Sequence, residues 1–193
     1  MKKVWRVIIG LGILVVIVVS VYVSRRNQIV AKREAIRASW AQVEVVMERR
    51  ADLIPNLVNT VKGYAAHEQT VFDSVTRARE ALIGARTPTD RVAANNQLDG
   101  ALGRLLMVAE AYPNLKANEN FLELQDQLEG TENRIAVERR RYDLAVQDYN
   151  TYIGFIPNNI IAAMSGFQRV NNYFAASQGA QAVPKVEFPA AKS

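Results

Sequence analysis

The sequence predicts an all-α protein: one N-terminal transmembrane helix followed by an elongated antiparallel helical bundle of three to four helices. Three observations predict it. Residues Val7–Val23 hold no charged side chain and are rich in Val, Ile and Leu. Two long stretches then repeat apolar residues in alternating steps of four and three, the 3.5-residue period of helices packed along a seam. No stretch of useful length alternates apolar and polar residues as a half-buried strand does.

The leader is read first. With Val4 and Trp5, the uncharged run approaches the ~20 residues that cross a ~30 Å hydrocarbon core. Trp5 and Tyr22 stand near its two ends, where amphipathic rings suit the membrane–water interface. A cleaved secretory signal shares the basic start, but no small-x-small cleavage site follows at Ser20–Ser24. A buried core helix is not normally apolar on every face with arginines at both ends. The reading is therefore a membrane anchor over residues 1–26, with the span at about 5–23. Orientation stays open. Lys2, Lys3 and Arg6 precede the run, and Arg25, Arg26, Lys32, Arg33 and Arg37 follow it.

The net charge of +5 belongs to this leader. Of 24 basic residues, five lie in residues 1–26; 19 remain against 19 acidic ones. That balance leaves no basic face for nucleic acid.

The helical bundle is expected over 27–175. In its first helix, Asn27 to Leu82, the seam visits Ile29, Arg33, Ile36, Trp40, Val43, Met47, Arg50, Ile54, Leu57, Val61, Tyr64, Glu68, Val71, Val75, Ala78 and Leu82. All but Arg33, Arg50 and Glu68 are apolar. Pro55 does not shift the register, so the helix is expected to kink and continue, with Gly84 as its stop. Thr87-Pro88-Thr89-Asp90 reads as a capped start of a second helix, which ends near Ala111. Its Gly100 and Gly103 are read as points of close helix approach. A connection, Tyr112–Asn118, leads to a third helix from Glu119 to Phe155. Its seam is Phe121, Leu124, Leu128, Thr131, Ile135, Glu138, Tyr142, Ala145, Tyr149 and Tyr152. After Pro157 a fourth helix is expected, with Ile160, Ile161, Met164, Phe167, Val170 and Phe174 on one broad face. Residues 176–193 read as a flexible tail.

Chemistry is sparse. There is no cysteine and one histidine, His67. His67-Glu68 is half of a zinc-protease helix and lacks the second histidine. No phosphate loop, dinucleotide fingerprint or nucleophile elbow occurs. No catalytic, cofactor-binding or metal residues are assigned, and no small-molecule substrate is evident. The polar residues on the seams, Arg50, Glu68, Thr131 and Glu138, carry more information. A charge in a helical seam is paired or reaches solvent. Arg50 is expected to pair with a third-helix carboxylate, Glu138 first, as a device that fixes helix register.

Arg49-Arg50-Ala51-Asp52-Leu53-Ile54-Pro55-Asn56-Leu57-Val58, followed by Val61-Lys62-Gly63-Tyr64-Ala65-Ala66-His67-Glu68, resembles the signature of the LemA family. Tyr112-Pro113-Asn114-Leu115-Lys116-Ala117-Asn118 resembles its second block. Thr131-Glu132-Asn133-Arg134-Ile135-Ala136, with Tyr142, Tyr149-Asn150 and Pro157, resembles its third. The likeness covers about residues 1–175. Asp143 and Ile156 depart from the family's usual asparagine and aromatic. The resemblance implies a bacterial single-pass membrane protein with a small helical bundle and no attributed enzymatic activity. Family members often stand beside membrane metalloprotease genes.

The expectation is thus a non-enzymatic, membrane-anchored coiled-coil scaffold or oligomerisation protein of the bacterial cell (inner) membrane. Its partners would be the lipid bilayer and either copies of itself or another membrane protein. An adaptor for a membrane protease or other envelope machine, and a lipid- or small-ligand-binding bundle, are the alternatives.

Overall fold

The computed structural model describes residues 2–171, 173 and 174. Among them the helices are α1 (Lys2–Lys62), α2 (Gln69–Gly84), α3 (Pro88–Glu110), α4 (Pro113–Lys116), α5 (Glu119–Gly154) and α6 (Asn158–Met164). No strand occurs among the described residues. The tail expected at 176–193 lies outside them.

The leader and the first bundle helix are one element. α1 passes through residues 26 and 27 without a break, and at ~1.5 Å per residue it is on the order of 90 Å long. The apolar side chains from Val4 to Val19 are each at least half exposed. The most apolar window of the helix has a mean hydropathy of 2.8, with none of it buried. That is a helix long and apolar enough to cross a bilayer.

The helix expected from Asn27 to Leu82 is divided in two. α1 ends at Lys62, where Gly63 lowers helix propensity and Tyr64 and Ala65 both donate to the Val61 carbonyl, at 3.0 and 2.9 Å. Glu68 N–H then bonds to the Ala65 carbonyl at 3.1 Å, and α2 begins at Gln69. Tyr64 and Glu68 therefore belong to a turn and not to a seam. The apolar period survives the break because α2 folds back and lays Phe72, Val75, Ala78 and Leu82 on the same core. A count of spacings does not register a reversal in direction. Arg33 is also exposed.

Pro55 explains how α2 is held. A proline lacks the N–H that would bond four residues back, which frees the carbonyl of Ala51. Ala51 is fully buried, so that oxygen needs another donor. Arg79 of α2 supplies it, Nε to O at 2.7 Å. Lys62 extends its ammonium over the Phe72 ring, 5.4 Å from the centroid. α1 itself runs on through Pro55.

α3 starts as expected: the Thr87 side chain accepts from Asp90 N–H at 3.1 Å, and Pro88 opens the helix. It packs on α2, where Arg104 bonds to Ser74 at 2.8 Å. Gly100 and Gly103 are not points of close approach. A Cβ at either would meet nothing within 4 Å. Asn118 caps α5 by accepting from Phe121 N–H.

α5 lies along most of the non-leader part of α1. Tyr64 meets Asn118 at 3.1 Å, Trp40 meets Tyr142 with ring centroids 5.6 Å apart, Lys32 meets Asp148 at 2.6 Å, and Gln28 meets Tyr152 at 2.5 Å. Residue numbers fall along α1 as they rise along α5.

The fourth helix is shorter than expected. α6 stops at Met164, and Gly166 adopts a left-handed φ of +71°. Phe167 N–H reaches the Ala162 carbonyl at 2.9 Å and Gly166 N–H the Ala163 carbonyl at 3.3 Å, the paired bonds of a helix-ending Schellman motif. Phe167, Val170 and Phe174 then lie on a non-helical strap, and not on a helix face. The strap runs back over the α1–α5 pair.

Removing the Arg79 guanidinium leaves the Ala51 carbonyl orphaned in the core, which costs about 1–3 kcal/mol. Arg79→Met therefore destabilises the protein, and it does so less in a Pro55→Ala background, where residue 55 regains its N–H. Urea unfolding of the four proteins in detergent micelles measures that coupling.

Candidate functional site

Arg50 sits on the buried face of α1, 6 % exposed. Three polar residues on two other helices surround it. Its Nη1 is 2.6 Å from Asp99 Oδ1 of α3 and closer still to Glu132 Oε2 of α5. It also donates to Asn95 Oδ1 at 3.4 Å. Asn95 is fully buried and gives its own Nδ2 to Asp99 at 3.1 Å. Arg50 Nε and Asp99 Oδ1 have no hydrogen-bond partner, so the Arg50–Asp99 attraction is Coulombic more than directional. The arginine thus fastens α3 and α5 to α1 from one buried point. Glu138 is not its partner. That carboxylate pairs with Arg141 on its own helix at 2.7 Å, because position 132 and not 138 is level with Arg50. Thr131 satisfies its hydroxyl locally on the Leu128 carbonyl at 2.7 Å.

Beside this cluster a cleft of about 520 Å³ opens between α3 and α5 over α1. Arg50, Asp99 and Glu132 line its polar end, and Leu57, Leu102, Leu106 and Leu128 its apolar part. Gly103 leaves one wall open. The arrangement suits an amphipathic occupant, but no nucleophile stands beside a base in it. No group of His, Asp and Glu able to hold a metal is found among the described residues.

Burial pushes the Asp99 carboxyl up from its ordinary value of 3.8. The Arg50 guanidinium opposes that shift and the Glu132 carboxylate reinforces it.

A second constellation holds the strap. Asn150 presents both ends of its amide to the backbone of Val170: Nδ2 donates to the carbonyl at 2.7 Å, and Oδ1 accepts from the N–H at 2.9 Å. Tyr149 donates to the Gln168 carbonyl at 3.0 Å. Asp143 accepts from Phe174 N–H at 3.0 Å. The Phe174 ring stacks on Trp40 and meets Tyr142 edge-on, with centroids 5.9 and 5.4 Å away, and the Arg139 guanidinium lies over the same ring, 5.2 Å from its centroid. Burial raises the Tyr142 and Tyr149 hydroxyl pKa values.

The remaining motif residues mark turns or solvent. Lys62, His67 and Glu68 border the turn after α1, and Tyr112, Pro113 and Lys116 form the one around α4, where Lys116 pairs with Glu110 at 2.5 Å. Pro157 opens the way into α6, and Asn158 braces it on the Tyr152 carbonyl at 3.0 Å. Asp52, Asn56 and Arg134 are exposed.

The sequence model for the LemA family matches residues 39–188. The chain belongs to the LemA family. Magnetosome protein MamQ 2 of Paramagnetospirillum magneticum is 29 % identical, over 83 % of this chain and 68 % of its own length. Magnetosome protein MamQ of Magnetospirillum gryphiswaldense is 28 % identical, over 78 % and 64 %. Protein LemA of Metamycoplasma hominis is 24 % identical, over 86 % and 74 %. The LemA match begins beyond the apolar leader and takes in Arg50, Asp99 and Glu132, and the strap contacts of Trp40, Asp143, Tyr149 and Asn150; Arg33, which lies over Phe167, precedes it.

Sequence reasoning did not find Asp99, Asn95 or Arg79. Asn95 was within reach: Arg91, Asn95, Leu98, Leu102, Leu105 and Ala109 form a strict four-and-three seam, and a buried asparagine on it marks a polar contact. Arg79 carries no such mark.

Arg50→Met leaves two carboxylates facing each other. Their side chains are 37 and 43 % exposed, so water compensates in part, and the loss is about 1–3 kcal/mol, below the ~3–5 of a fully buried pair. Adding Asp99→Asn recovers part of it, as read by unfolding in micelles. Asp99 also predicts a pH effect. Its folded pKa is raised, so its contribution to stability is complete below 3.8 and is lost as pH rises through the raised value. The unfolding free energy of Asp99→Asn, followed against pH, lacks that fall.

Proposed function

We propose that this chain is a single-pass scaffold of the bacterial cell (inner) membrane that works by association, not catalysis. In this reading the helices beyond the anchor form an elongated antiparallel bundle of three to four helices. The opposite running of residue numbers in the α1–α5 contacts supports that arrangement. The carrying observation is the continuity of α1: the exposed apolar run and buried Arg50 stand on one uninterrupted helix. A membrane segment joined to a bundle in this way sets the bundle's position and offers its flanks to neighbours. Val137 and Leu144, one heptad apart on α5 and each about half exposed, supply a lateral apolar stripe. The bundle is the surface that meets a copy of itself or another membrane protein.

Full-length protein in mild detergent is expected to form oligomers whose mass grows with concentration in sedimentation equilibrium. Replacing Val137 and Leu144 with glutamate shifts it to the monomer. A monomer across the whole concentration range overturns self-association.

A further inference from the structure

The turn between α5 and α6 leaves an apolar patch facing outward. Phe155 is 60 % exposed, Ile156 82 %, Ile160 56 % and Met164 74 %. The other face of α6 is packed, with Asn158, Ile161 and Ala162 buried, so the exposed side chains are not a sign of a loose segment. Asn158 and the Schellman motif fix the turn at both ends. A rigid patch of large apolar side chains is unusual on a surface that meets only water.

Its position identifies what covers it. Ser165 Oγ lies 3.1 Å from the Tyr22 hydroxyl, and Tyr22 stands at the end of the uncharged run of α1. One turn further along α1, Arg25 reaches Tyr152 at 3.5 Å. The α5–α6 turn is therefore level with the place where the apolar leader meets the first arginines. The strap then leads away from that level, from Phe167, under the Arg33 guanidinium, to Phe174, beside Trp40. Within the part of α1 that α5 covers, the turn is the end nearest the leader. Arg25, which reaches Tyr152, and Arg26 after it in the sequence stand at that level, cations suited to lipid phosphates.

We propose that Phe155, Ile156, Ile160 and Met164 form a second membrane contact, which dips into the headgroup–acyl boundary beside the transmembrane helix. The bundle is then fixed to the bilayer at two points, the spanning helix and this turn, which fixes the bundle's angle to the membrane surface. The occupant is the lipid surface itself, favoured by continuity with the apolar face of α1 and by the adjacent basic residues. This inference rests on the anchored reading given above.

The absence of cysteine in the chain allows single-site labelling of the full-length protein. NBD is attached at Ile156→Cys, at Leu14→Cys in the leader, and at Met107→Cys, which is 68 % exposed on α3. The proteins are reconstituted in phosphatidylglycerol–phosphatidylcholine vesicles with doxyl-labelled lipid. Quenching at 156 is expected to exceed that at 107 several-fold, with a blue-shifted emission, and to fall toward the level at 107 when Phe155, Ile160 and Met164 become serine. Strong quenching at 14 with none above the 107 level at 156 overturns the second contact and leaves the anchor standing. No quenching at 14 overturns the anchor and this inference together. Circular dichroism and the unfolding midpoint of each variant in micelles separate loss of contact from loss of fold. A weak signal at 156 in a folded variant with the native apolar residues counts against the proposal.

Discussion

The bundle depends on one charge. Arg50 lies in the last part of α1, only 6 % exposed, and an isolated guanidinium there costs far more than the net stability of a domain of this size allows. It is tolerated because α3 brings Asp99 and Asn95 to it and α5 brings Glu132. Apolar seams alone permit neighbouring registers, since Leu57 or Ile54 packs nearly as well one heptad away. A buried arginine does not: a slip of one turn strands it. The same contact explains why α3 and α5, which pack extensively on α2 and α1 respectively, stand apart from each other. They meet through the arginine and leave the cleft between them.

Backbone groups are accounted for with equal care where the helices are interrupted. Pro55 removes one intrahelical bond, and the freed Ala51 carbonyl becomes the acceptor that holds α2 in place. Beyond Gly166 no helix satisfies the strap's N–H and C=O groups, and Asn150, Tyr149 and Asp143 do so. In both places a break in regular structure is converted into a tertiary contact by one side chain. Asn150 matters here because an amide carries a donor and an acceptor at the spacing of a peptide group, so it substitutes for a neighbouring strand.

The all-helical class, the apolar leader, the cap at Thr87 and most core positions were legible in the sequence, because each is a local or strictly periodic signal. The seam residues Ile29, Ile36, Val43, Met47, Ile54, Leu57 and Val61 are all buried. The direction of the chain was not legible. Residues 63–68 reverse it while the heptad count runs on, so two helices read as one. Phe167, Val170 and Phe174 have helical spacing and are buried in part, but a non-helical strap laid over two helices also buries a subset of its side chains. The partner of Arg50 was misplaced for a related reason. Periodicity shows which face of α5 is buried, whereas the level at which α5 meets α1 follows from the lengths of the turns at 63–68 and 112–118. Those turns meet through Tyr64 and Asn118, and that contact sets Glu132, not Glu138, opposite Arg50.

The continuity of α1 has a mechanical consequence. An α-helix advances by about 100° per residue, so the faces of the leader are tied to the faces of the bundle by the number of residues between them. Between Tyr22, which holds the α6 turn, and Ile29, the first buried seam residue, lie Val23 to Gln28, with no proline or glycine to absorb rotation. One residue added there turns the leader by a quarter of a revolution or more relative to the seam and moves Tyr22 away from Ser165. A flexible tether does not impose that condition. In this protein the orientation of the bundle is therefore a property of helix register, set by the same helix that places Arg50 between Asp99 and Glu132.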